Sequence, residues 1–145
     1  MIRSKPNMKK LIFILLAMFG LLFSGCENKI DKAHAAYDRG IELMYNTSNF
    51  DEAERQFTKV IKYDKNNFEA YFYRGCTKFN RGLLDEAIVD FEKAIELKPD
   101  YADAEFALGR IYFIKKDNDM ACYYYKAADR DGKANLEDYL KGCPK

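Results

Sequence analysis

Nucleophilic or metal-binding chemistry in this 145-residue sequence rests on four cysteines, Cys26, Cys76, Cys122 and Cys143, and a single histidine, His34. A thiolate beside an imidazole is a nucleophile with its base, but no local pattern holds these residues together. There is no Cys-x-x-Cys or other paired metal-ligand spacing, no Gly-rich phosphate loop and no Gly-x-Ser-x-Gly elbow. His34 reads as a solvated imidazole, and acid pairs such as Glu92 with Glu96 or Asp117 with Asp119 read as solvated helix faces and turns. The sequence is therefore read as non-enzymatic, with no catalytic residue, no metal site and no cofactor.

Cys26 is the one cysteine with a chemical context. It follows a basic start, MIRSKPNMKK, a purely apolar run from Leu11 to Phe23, and then Ser24 and Gly25. This is the three-part plan of an export signal over residues 1–25. As a helix the apolar run reaches about 20 Å, short of the roughly 30 Å of a bilayer core. The end of the run, Leu22-Phe23-Ser24-Gly25-Cys26, resembles the lipobox of bacterial lipoproteins. Ser24, Gly25 and Cys26 match it, and Phe23 stands where an aliphatic residue is usual. The resemblance implies that Cys26 is lipidated and becomes the N-terminus, on a short tether over residues 26–32. Acyl chains, at about 0.8 kcal/mol per buried methylene, would then hold the chain on a membrane without a spanning helix. The implied location is the bacterial cell envelope, the outer membrane in preference to the inner. An ordinary cleavable signal and an uncleaved anchor are the alternatives.

Over its whole length the chain is 48% hydrophobic and 32% charged with only three prolines, a globular helical composition. The net charge of +1 hides an asymmetry. Arg3, Lys5, Lys9 and Lys10 belong to the leader, which has no acid, so the remainder has 20 bases against 23 acids. A mildly acidic domain offers no footprint for nucleic acid.

The elements that must position any site are organised by a period of 34 residues. In the stretch Tyr71 to Pro99 two amphipathic helical patterns flank a Gly-containing turn and a proline closes them. Gly75, Ala87, Phe91 and Ala94 recur as Gly109, Ala121, Tyr125 and Ala128, while Ala53 and Phe57 stand 34 residues upstream of Ala87 and Phe91. An earlier copy starts near Lys32 with Ala36, Gly40 and Val60, and its turn around Asn46 to Asn49 is one residue longer. This pattern resembles the tetratricopeptide repeat. The resemblance implies an all-α solenoid over residues 33–141, with repeats at about 33–66, 67–100 and 101–133 and a capping helix at 134–141. Gly75 and Ala87 are expected to be small because paired helices cross there.

Such domains bind an extended peptide or a helix on the concave surface lined by first helices. Carried across, that surface would present His34, Tyr37, Asp38, Ile41 and Met44, then Glu69, Phe72, Tyr73, Cys76 and Phe79, then Asp103, Phe106, Ala107, Arg110 and Phe113. The groove residues singled out are Tyr37, Ile41, Phe72, Tyr73, Phe79, Phe106, Arg110 and Phe113. The alternative for these rings is packing between helices. The chaperone-binding subfamily holds a C-terminal carboxylate with a basic clamp; here the corresponding positions hold Tyr37, Ile41, Tyr73, Asp103 and Ala107, with no base among them. With Cys26 lipidated in an oxidising compartment, Cys122 and Cys143 can bridge and pin the cap to the last repeat, or remain buried thiols. The expected function is an envelope adaptor that holds a protein partner for an assembly or secretion complex. Self-association without a foreign ligand is the alternative.

Overall fold

The computed structural model describes residues 29–144, which form seven α-helices and, among the described residues, no strand. The first helix, α1, covers residues 29–46. It is followed by α2 (Phe50–Tyr63), α3 (Phe68–Asn80), α4 (Leu84–Leu97), α5 (Ala102–Ile114), α6 (Asn118–Arg130) and the single turn α7 (Glu137–Leu140). The leader, Cys26 and the start of the expected tether lie outside the described residues. The rest of that tether is no flexible linker, since residues 29–32 already belong to α1.

Local chemistry sets the helix ends. The side chains of Asn49, Asn67 and Asp117 accept hydrogen bonds from the backbone N–H of Glu52, Ala70 and Met120 at 3.2, 2.8 and 3.1 Å, capping α2, α3 and α6. Asp51, Glu52, Asp85, Glu86 and Asp119 put negative charge in the first turns of α2, α4 and α6, where the helix dipole favours it. Pro99 follows the end of α4 at Leu97, as a residue that cannot continue a helix must.

Consecutive helices pack as antiparallel-connected pairs, α3 on α4 and α5 on α6, and the pairs stack through α2 with α3 and α4 with α5. At each crossing a glycine faces an aromatic ring. A Cβ on Gly40 would stand 2.8 Å from the Phe57 ring, one on Gly75 2.8 Å from Phe91, and one on Gly109 2.5 Å from Tyr125. The small residue at the crossing is thus matched to the ring, whereas the sequence suggested a Gly75 to Ala87 approach. Ala87 lies in the central core with Phe91, Ala94, Ala104, Leu108 and Ile111.

The expected cap over 134–141 is shorter than the spacing of Leu136, Tyr139 and Leu140 implied. Asn135 adopts a left-handed conformation, φ 63°, which confines the helix to Glu137–Leu140. Leu136 is nevertheless buried, and Tyr139 packs its ring against Phe106 and Tyr125 at 5.0 and 5.1 Å between centroids. The segment therefore covers the last repeat mainly through these two side chains.

An ion cluster that the repeat pattern did not indicate sits between α3 and α4. Arg74 donates to both oxygens of the buried Asp90 carboxylate at 2.8 and 2.6 Å, and Lys78 Nζ lies 2.8 Å from the same group. One repeat later the Lys78 and Asp90 positions are Tyr112 and Tyr124, whose rings stack at 5.5 Å. The same slot is filled by charge in one repeat and by aromatic surface in the next. Removing one partner of a buried pair leaves uncompensated charge, whereas replacing the whole set can be neutral. Asp90→Ala should lose about 3–5 kcal/mol in denaturant unfolding. Arg74→Leu, Lys78→Tyr and Asp90→Tyr together, copying the third repeat, should recover most of that loss.

Candidate peptide-binding groove

The face built by α1, α3 and α5 has an aromatic floor. Tyr37 and Tyr73 meet edge to face at 5.8 Å, Tyr73 meets Phe72 at 5.2 Å, and Phe72 meets Tyr101 at 5.1 Å. Each ring is half-buried. The ladder is also anchored from beneath, because Tyr73 stacks on the buried Phe57 at 5.6 Å and Phe72 lies 5.7 Å from the buried Phe91. The rings therefore pack between helices and present their remaining surface to the groove, combining the two roles that the sequence set as alternatives. Tyr101 was missed by sequence reasoning. It occupies the turn before α5, outside the first-helix spacing that selected the others, and its position two residues after Pro99 was the available signal.

Further along, Cys76, Phe79, Asn80, Ala107 and Arg110 line a cavity of about 150 Å³, with the Arg110 guanidinium 4.9 Å from the Phe79 ring centroid. Ile41 is half-buried against Leu43, Met44, Ala53 and Phe57, and Met44 is buried in that same cluster and does not reach the groove. Phe106 is covered by Tyr139 of the C-terminal segment. Phe113 is 63% exposed and lies apart from the floor, lining a cavity of about 340 Å³ with Tyr125, Tyr139, Cys122 and Cys143. The eight residues selected from the sequence thus divide between a continuous floor (Tyr37, Phe72, Tyr73), a second patch (Phe79, Arg110), a ring under the cap (Phe106), a core contact (Ile41) and an outlying ring (Phe113).

Cys122 and Cys143 form a disulfide, with Cα atoms 5.4 Å apart and a sequence separation of 21. Closing a loop of this size is worth about 3 kcal/mol in the chain-entropy model. Cys76 is a free thiol, and burial, reinforced by Asp103, pushes it up to about 12, which favours the protonated thiol. His34 is exposed. Among the described residues no group of three or more His, Cys, Asp or Glu is placed to hold a metal ion, and no helix is long and apolar enough to cross a membrane.

The groove carries acids along one edge. Asp38, Glu69 and Asp103 are all exposed. Burial raises the Tyr37, Tyr73 and Tyr101 hydroxyls, and carboxylates raise them further: Glu69 and Asp38 at Tyr37, Glu69 at Tyr73, Asp103 and Glu69 at Tyr101. One acid is different. Glu105 stands where the second repeat has Tyr71, and it is buried with one carboxylate oxygen lacking a hydrogen-bond partner. Burial, then the charge of Asp131 and a hydrogen bond to it, pushes Glu105 up to about 7; Arg130 and that same hydrogen bond hold Asp131 down.

Residues 68–101 match the family model of the tetratricopeptide repeat. The chain is similar to Hsp70-Hsp90 organizing protein 1 of Glycine max, 28% identical over 113 residues, which cover 77% of this chain and 20% of that protein. It is also similar to tetratricopeptide repeat protein 13 of Homo sapiens, 37% identical over 70 residues, covering 48% of this chain and 8% of that protein. The chain thus spans a fifth or less of the length of these curated relatives. Among solved structures, the TPR2B-domain:pHsp70 complex of yeast Sti1 superposes with a TM-score of 0.66 at 26% identity, covering 69% of this chain and 79% of that one. The crystal structure of MamA gives 0.66 at 25% identity, covering 69% and 58%. The described residues are a tetratricopeptide-type solenoid.

Because the folded pKa of Glu105 lies above its unfolded value near 4.3, the folded chain binds the extra proton. Stability should fall as pH rises between about 4.5 and 7 and stay reduced above. Glu105→Gln should remove that slope and stabilise the chain at pH 8 by about 1–3 kcal/mol, read from thermal or denaturant unfolding at pH 5 to 8.

Proposed function

We propose that this chain is a lipid-anchored envelope protein whose tetratricopeptide domain is a protein–protein interaction adaptor, holding an extended segment of a partner in the groove of α1, α3 and α5. The observation that carries the reading is the half-buried aromatic ladder from Tyr37 through Tyr73 and Phe72 to Tyr101. Rigid rings fixed from beneath give contact area at little entropic cost, which suits recognition. The similarity to the Sti1 domain, itself in a complex with pHsp70, supports peptide binding as the mode. The ligand chemistry is expected to differ from that of a clamped chaperone carboxylate, because Tyr37, Ile41, Tyr73, Asp103 and Ala107 supply no basic clamp. Lipidation at Cys26, and with it placement at a membrane for an assembly or secretion complex, rests on the Leu22 to Cys26 segment. The Cys122–Cys143 bridge suits a compartment that tolerates disulfides.

Cross-linking in intact cells followed by capture of the chain tests both halves. Phe72→Leu with Tyr73→Leu, which keep apolar bulk over Phe91 and Phe57 but remove the floor rings, should lose the captured partner while the chain stays membrane-bound and folded. Cys26→Ala should abolish incorporation of a palmitate analogue and release the chain from the membrane fraction. An unchanged partner set for the first variant rejects the groove, and unchanged labelling for the second rejects the anchor.

A further inference from the structure

The groove does not end at Tyr37. Beyond it, α1, the end of α2 and the start of α3 enclose a cavity of about 400 Å³ that shares Tyr37, Asp38 and Glu69 with the groove and adds Tyr63 and Asp64. That volume lies within the roughly 300–1,000 Å³ of ligand sites. Its walls combine two phenol rings, the stems of Val60 and Ile30, and three carboxylates. Among the described residues none of these three acids takes part in an ion pair, whereas the three acids at the start of α2 all do: Asp51 and Glu54 meet Arg81, and Glu52 meets Arg55. Asp64 spends one oxygen on the backbone N–H of Asn66 at 2.9 Å. Lys29 is the single Lys or Arg of the lining, so carboxylates exceed ammonium groups by two.

Resting on the groove reading, we propose that this cavity is a cation pocket that receives an arginine or lysine side chain from the partner segment lying along the aromatic ladder. A guanidinium or ammonium group needs an aromatic face and charged acceptors at once. Tyr37 and Tyr63 supply the faces, and Asp38, Asp64 and Glu69 supply acceptors with open lone pairs. Past the pocket the edge is charge-paired, since Asp103 meets Lys133 and Lys98 lies over the Phe68 and Tyr101 rings, so the uncompensated acids are confined to the pocket. An acidic side chain would meet like charge there, which costs affinity. The potential is felt within the site, since Glu69 and Asp38 both push the Tyr37 hydroxyl upward after burial and Tyr73 have done so.

The probe is a fluorescein-labelled ten-residue peptide of alternating Gly and Arg, with its Gly-Glu counterpart, titrated against the full chain in non-ionic detergent and followed by anisotropy. The parent should bind the Gly-Arg peptide and not the Gly-Glu one. Asp38→Asn, Asp64→Asn and Glu69→Gln together keep shape and hydrogen-bond acceptors, and should weaken binding at least tenfold with an unchanged melting profile. Glu92→Gln, Asp119→Asn and Glu137→Gln remove the same charge from exposed positions outside the pocket and should change affinity less than twofold. Equal losses in the two variants, or no binding by the parent, overturn the pocket. Spermidine that competes more tightly than the peptide would make a free polyamine the occupant and overturn the partner segment. A captured partner lost with Phe72→Leu and Tyr73→Leu but kept with the three pocket substitutions would leave the groove reading standing and remove only this one.

Discussion

A hydrogen atom in place of a methyl group, at three crossings, sets the geometry on which the solenoid depends. At Gly40, Gly75 and Gly109 the first helix of each pair lies so close to Phe57, Phe91 or Tyr125 that a Cβ would stand within 2.8 Å of the ring. Interiors are packed too tightly to absorb such an overlap without displacement. The ring in turn is the underside of the groove: Phe57 carries Tyr73, Phe91 carries Phe72 and Tyr125 lies 5.8 Å from Phe106. One contact, repeated, fixes both the helix spacing and the height of the aromatic floor.

What the sequence made legible follows from that repetition. A constraint imposed at every crossing leaves the same letter at a fixed interval, so Gly, Ala and aromatic landmarks could be read across 34 residues and the helices placed from them. The slot at 78 and 90 obeys no such constraint. It requires only that two side chains fill the space between α3 and α4, and Lys with Asp does this as Tyr112 with Tyr124 does one repeat on. An alternation between charge and ring carries no period and was invisible. Glu105 stands where the second repeat has Tyr71, and its burial beside Asp131 could not be inferred, because its neighbour comes from the far end of α6.

The ends were the least legible. The spacing of Leu136, Tyr139 and Leu140 marked which residues face the last repeat, but a helical period over so few residues does not dictate that they are all helical. Asn135 turns the chain before the helix begins, and the disulfide at Cys143 then ties the segment to α6. At the other end, polar composition made residues 29–32 look like linker. They are helical because they extend α1, whose apolar face already packs on α2 and α3 through Ala36, Val60 and Ala70.

The two ends therefore differ in kind. The C-terminal end is sealed by Leu136, Tyr139 and a covalent bridge, so its rings serve cohesion. The N-terminal end keeps a cavity of about 400 Å³ with three acids that have no ion-pair partner among the described residues. Between them, Tyr37, Tyr73 and Phe72 each also touch a core ring, Phe57 or Phe91, and truncating one to alanine disturbs packing and recognition together. The acidic edge is the part of the surface free of that double duty. Asp38 and Glu69 are exposed, take part in no ion pair among the described residues, and can lose their charge without opening the core. A solenoid of this size, with its landmarks committed to helix crossing, has its freedom to discriminate between partners in those edge charges more than in the rings that first draw attention to the groove.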